Sequence, residues 1–127
     1  MIGAENTNPP VPTALTLRKA SQLLEVAFPD GVSGSLSAEY LRVHSPSAEV
    51  TGHSAGEGML VVDKERVRIL RIEPVGRYAV RLVFDDGHDT GLYTWRVLYD
   101  LCRHHETKWR RYLERLAAAG HSRKSEA

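Results

Sequence analysis

The spacing of apolar side chains divides the chain into an alternating first part and a helical last part. Ala14-Leu-Thr-Leu-Arg18 alternates apolar and polar residues, the period of a half-buried strand. Gln22 to Phe28 predicts a second strand, and Lys19, Ala20 and Ser21 form a connection short enough for an antiparallel hairpin. Pro29-Asp-Gly31 predicts a turn, because proline presets φ and glycine accepts positive φ. Val32 to Leu36 then predicts a short third strand. Ser37 stands as N-cap of a short helix over Ala38 to Val43, which Pro46 ends. Ser45 to Gly58 is rich in Ser, Gly, His and Glu and reads as a loop. Two longer strands follow. Val67 to Ile72 is partly apolar on both faces, and Tyr78 to Phe84 is nearly all apolar and belongs at the centre of a sheet. Pro74 to Gly76 is the expected turn between them.

After Asp85-Asp-Gly87 the period changes. Val97, Leu98, Leu101, Cys102, His105, Trp109, Tyr112, Leu113 and Leu116 recur three or four apart, the pattern of an amphipathic helix. Asp89 or Thr90 is the expected cap of its first turn, a break is expected near His104 to Thr107, and Gly120 is the expected stop. Strands come first and helices last, so the fold class is α+β: a small, mainly antiparallel sheet with a short helix, and a C-terminal helix or helices packed on it. Leu98, Leu101, Trp109 and Leu113 are the expected packing face. Residues 1–12, with three prolines, read as a disordered tail, 13–120 as one domain, and 121–127 as a frayed end.

Charge and composition narrow the possible roles. Seventeen basic and 16 acidic side chains leave a formal charge of +1, too little for a strong nonspecific grip on nucleic acid. The last third is locally basic, with Arg96, Arg103, Lys108, Arg110, Arg111 and Arg115 among its aromatics, so weak nucleic-acid binding stands as a minor alternative. The single cysteine, Cys102, rules out an intrachain disulfide and a cysteine-only metal site, and no disulfide-linked partner is expected. The N-terminus has neither the basic start nor the apolar run of a secretory signal, and no window approaches the ~20 apolar residues that span a bilayer. A cytoplasmic location with no membrane partner is the expectation.

The chemistry-bearing residues concentrate between Asp85 and Trp95. His88, beside Asp85, Asp86 and Asp89, suits a metal ligand, a proton carrier or a turn residue bonded to the Ser45–Val50 loop. His44, Glu49 and His53 with His88 supply the donor types of a two-histidine, one-carboxylate cation site, so a small metal-binding protein is one reading. Cys102 and His105 share a helix face, but Cys102 also lies on the apolar stripe, where a thiol acts as a small hydrophobe. Gly52, Gly56 and Gly58 make no phosphate loop. No nucleophile with a paired base and no complete ligand set is visible, so no enzymatic activity and no cofactor are expected. Arg42, Asp86, His88, Tyr93 and Trp95 are the expected binding surface, for a protein partner of unknown identity. Tyr93 and Trp95 are expected to pack on the loop from Ser45 to His53.

Leu41-Arg-Val-His-Ser-Pro-Ser-Ala-Glu-Val50, Thr51-Gly-His53, Pro74-Val-Gly76, Asp85-Asp-Gly-His88, Gly91-Leu-Tyr-Thr-Trp95 and Trp109-Arg-Arg-Tyr-Leu113 together resemble the gamma-butyrobetaine hydroxylase-like N-terminal domain. The chain is most similar to the small stand-alone bacterial members, without the hydroxylase domain. The resemblance implies an accessory or protein-binding module, of the kind fused elsewhere to an oxygenase or an iron-sulfur carrier ATPase. It also implies that full-length hydroxylases hold zinc with three cysteines and a histidine, whose matching positions here are Ser45, Ser47, Val50 and His88. A serine hydroxyl is a poor zinc ligand at neutral pH, so the site reads as degenerate, with hydrogen bonds replacing the metal.

Overall fold

The computed structural model describes residues 10–47 and 58–123. Its first unit is an antiparallel sheet of β1 (Ala14–Arg18), β2 (Leu23–Ala27) and β3 (Ser33–Ser37), in that order. Arg18 pairs with Leu23 and Leu24 with Leu36, so alternation sends Leu24, Val26 and Leu36 inward and leaves Glu25 and Ser35 on the outer face. Ser37 ends β3 and caps α1 (Ala38–Val43), its hydroxyl accepting from the Tyr40 amide at 3.0 Å.

The second unit is the antiparallel sheet β4 (Ile69–Val75), β5 (Ala79–Phe84) and β6 (Leu92–Thr94), again in chain order. As its apolar run predicts, β5 is central and buried at nearly every position. The α+β class therefore holds, but the strands form two small sheets where one was expected. Apolar period fixes which face of a strand is buried and says little about which strand edges meet. A single core nevertheless spans both sheets, since Leu24, Leu36, Tyr40, Ile69, Leu82, Phe84, Tyr93 and Leu98 share one cluster. Gln22 ties the sheets directly: its Oε1 accepts from the Ile69 amide at 2.6 Å, while its carbonyl accepts from Ala38.

Two local expectations need correction. Val75 is still strand, and the β4–β5 turn falls on Gly76 to Tyr78, with Gly76 at φ +55. The C-terminal helix does not start at Asp89 or Thr90, because the short strand β6 intervenes; Thr94 caps α2 (Trp95–Arg103), accepting from the Val97 amide at 3.2 Å. The chain breaks at His104, within the stretch where a break is expected, and continues as α3 (His105–Ala118). Gly120, at φ +80, closes α3 in a Schellman motif: the His121 amide reaches the Leu116 carbonyl and the Gly120 amide that of Ala117. Leu98, Leu101 and Cys102 of α2 enter the main core, and α2 packs on β3 and β6. On α3 the buried stripe is Tyr112 and Leu116 with half-buried Trp109; Leu113, expected on that face, is 38% exposed because it lies one residue around the helix from the stripe.

Candidate functional site

The turn leaving β5 folds back toward the loop that leaves α1. Asp86 makes the turn rigid: its Oδ1 accepts from the His88 amide at 3.1 Å, while the Phe84 amide bonds the His88 carbonyl at 3.0 Å. Gly87, at φ +89, supplies the left-handed step. The His88 imidazole is thereby turned inward, almost fully buried, with its ring 6.1 Å from that of Phe84.

Ser45 and Ser47, just past the end of α1, meet this turn. The Ser45 hydroxyl has no exposed area; it lies 2.9 Å from His88 Nε2 and accepts from the Ser47 amide at 3.2 Å. A second rung joins the Ser47 and Thr90 hydroxyls at 2.8 Å. Tyr93 anchors the same corner from below, donating to the Leu41 carbonyl at 2.5 Å; burial pushes its phenol far above the ordinary range. Gly91 passes so close that a Cβ there would stand 2.5 Å from Ser45 Oγ and 3.1 Å from the Tyr93 ring. These contacts form a clasp between the α1 exit and the β5–β6 connection.

At the rim of the clasp two cations share one carboxylate oxygen. Arg42 Nε and Lys64 Nζ lie 2.8 and 2.7 Å from Asp86 Oδ2. Partial burial opposes ionisation of Asp86, but the Lys64 ammonium, the His88 amide and the Arg42 guanidinium outweigh it and bring the carboxyl down to about 2. Arg42 Nη1 is buried with no hydrogen-bond partner among the described residues, so the guanidinium is only partly satisfied.

The implied zinc site can be tested on this geometry, and the donors do not fit it. Ser45 Oγ and His88 Nε2 are bonded to each other at 2.9 Å, and Ser47 Oγ is engaged by Thr90. Neutral hydroxyls would have to replace thiolates, and the imidazole nitrogen that would face the metal is already committed. Val50, Glu49 and His53 lie outside the described residues. His44 turns away toward α3: its Nδ1 donates to the Tyr40 carbonyl at 2.9 Å, and its ring lies between Tyr40, at 4.7 Å, and Tyr112, at 6.2 Å. Among the described residues no group of three or more His, Cys, Asp and Glu side chains converges as a metal site would need. Cys102 is buried, and burial alone pushes its thiol up to about 11, which suits a core residue rather than a nucleophile.

Of the residues expected to make a binding surface, Arg42 and Asp86 come together at the surface and His88 supports them from inside. Tyr93 is wholly buried beneath the clasp. Trp95 donates from Nε1 to the Arg77 carbonyl at 2.8 Å on the β4–β5 turn, and most of the loop on which it was expected to pack lies outside the described residues. The basic residues of α3 are interrupted by acids, with Arg111 3.6 Å from Glu114. Sequence reasoning passed over Lys64, Thr90 as a clasp residue and the steric role of Gly91. Lys64 carries no pattern of its own. The Thr90-Gly91 pair before an apolar strand was the available signal for a close chain crossing.

The fold and clasp define a small α+β module in which the α1 exit is fastened to the edge of a three-stranded sheet by hydrogen bonds. The chain belongs to the gamma-butyrobetaine hydroxylase-like, N-terminal family, whose profile matches residues 15–99. It is similar to two proteins of known solution structure, at 50% identity over 98% of this chain and 93% of that one, TM-score 0.79, and at 46% identity over 94% and 95%, TM-score 0.80. It is also similar to a crystal structure of a protein of unknown function from Acidithiobacillus ferrooxidans in the DUF971 family, at 38% identity over 71% of this chain and 90% of that one, TM-score 0.58. No curated protein matches the chain. No helix among the described residues is long and apolar enough to cross a membrane.

Proposed function

We propose that the protein is a non-enzymatic accessory module that engages a protein partner through the rim of the clasp, where Arg42, Asp86 and Lys64 reach the surface. The observation carrying this reading is the state of Ser45 and His88. They form a serine–histidine pair, yet the hydroxyl has no exposed area and is pressed against Gly91. A nucleophile needs space beside it for a reacting atom, and this one has none. The pair holds the corner in shape, and the charges outside it are left to recognise something. Arg42 suits that task by residue type, since arginine is enriched among the side chains whose truncation costs most at protein interfaces. Membership of a family described as an N-terminal domain agrees with a module that works beside other protein.

The reading is tested by cross-linking and mass spectrometry in the native host, with wild-type and Lys64→Glu chains compared. A single stoichiometric protein should cross-link near residues 42, 64 and 86 of the wild type, and should be lost from a variant that melts within a few degrees of it. A partner set unchanged by Lys64→Glu contradicts the surface. Turnover of a substrate that disappears in Ser45→Ala contradicts the non-enzymatic role.

A further inference from the structure

Arg123, three residues past Gly120, occupies a formed site on the first turn of α1. Beyond the Schellman turn, His121, Ser122 and Arg123 run exposed, but the Arg123 guanidinium reaches back to Glu39 in the first turn of α1. It forks onto the carboxylate, Nη2 to Oε1 at 2.7 Å and Nε to Oε2 at 2.9 Å. Its carbon lies 5.5 Å from the centre of the Trp109 ring. Glu39 is 7% exposed, an unusual depth for a carboxylate.

We infer that Glu39 and Trp109 form a receptor site for a guanidinium group, filled in this chain by its own Arg123, so that an arginine on a partner protein enters by displacing the tail. The geometry makes it selective. A planar fork matched to a carboxylate, with an aromatic ring beside it, suits arginine; a lysine ammonium copies neither the paired hydrogen bonds nor the stacking. Further carboxylates act on the same face. Glu65 acts on Arg123 alongside Glu39, and burial together with Glu39, Glu65 and Asp63 pushes the Tyr112 phenol, on the same face, up to about 12.

A buried carboxylate is costly to leave unpaired, so the site exchanges one cation for another more readily than it stands empty. The native occupant sits on an exposed stretch just past a helix stop. Its advantage over a visiting arginine is therefore mainly one of tethering, which raises its local concentration without adding contacts. The inference does not depend on the partner surface at the clasp and fails or stands separately from it.

The test uses the full chain with Arg123→Ala and the peptide acetyl-Gly-Arg-Gly-amide, followed by the indole NH signal of Trp109 in NMR spectra. The peptide should shift that signal saturably in Arg123→Ala, at least about tenfold more tightly than in wild type, where the tail competes. The lysine counterpart should bind at least about tenfold more weakly, and Glu39→Gln/Arg123→Ala should not respond. Equal response of wild type and Arg123→Ala, equal response to the two peptides, or no saturable shift overturns the inference. Should Arg123→Ala not fold, Arg123→Lys takes its place: it keeps a cation on Glu39 without the fork, and absence of a saturable arginine-peptide shift there is equally decisive.

Discussion

At the scale of single residues, the clasp depends on a hydroxyl, an imidazole and a missing methyl group. Gly91 is required by space and not by φ: a Cβ would meet a buried, hydrogen-bonded oxygen at 2.5 Å, with the Tyr93 ring blocking retreat. Gly91→Ala is expected to destabilise the fold by about 1–3 kcal/mol, the usual cost of overpacking, measurable by urea denaturation. Sequence legibility at this scale follows chemistry. Ser45, Ser47 and His88 stand out because the family resemblance places ligand positions on them, and the structure joins Ser45 to His88 by a hydrogen bond. Lys64 was invisible because its role depends on which carboxylate the fold brings to it, and nothing in its neighbours along the chain records that. Tyr93, expected in the binding surface, is wholly buried, and its hydroxyl bonds a backbone carbonyl inside the core.

At the scale of elements, α1 and α3 meet across a ring cluster that carries a pH dependence. His44 lies between Tyr40 and Tyr112, with the His105 ring tilted against Tyr40 at 4.4 Å. Burial lowers the His44 pKa below its ordinary 6.5; the bond to the Tyr40 carbonyl works the other way, and the charges of Lys108, Arg115 and His105 add to the lowering. A folded value below the unfolded one means that the unfolded chain binds the proton first. Its contribution to stability is therefore complete above about 6.5 and is lost as pH falls below that value. The Tm should fall between pH 7 and pH 5, and His44→Phe, which keeps the ring contacts but cannot protonate, should show a smaller fall. An equal fall in both would place the acid sensitivity elsewhere. The elements themselves were largely readable, because caps and periods are local: Ser37, the break at His104 and the stop at Gly120 all fall where the sequence puts them. What escaped was β6, whose three residues are too few to show a period, and with it the cap at Thr94.

At the scale of the whole molecule, two small sheets become one structure because connections that no alternation encodes join them. Gln22 bridges the sheets, the clasp fastens the α1 exit to β6, and Arg123 returns to Glu39. Such links join residues far apart in sequence, so pattern reading reached the α+β class and the central place of β5 but gave one sheet in place of two. The central claim is that the corner which the family resemblance associates with metal is held here by hydrogen bonding through His88. Amide hydrogen exchange in wild type and His88→Ala tests it most directly. The account predicts faster exchange of the Ser47 amide and of residues 88–91 in the variant, with β5 protection reduced only by the global loss, about 1–3 kcal/mol for a buried hydrogen-bonded side chain. Unchanged protection at Ser47 and residues 88–91, with an unchanged Tm, would contradict it.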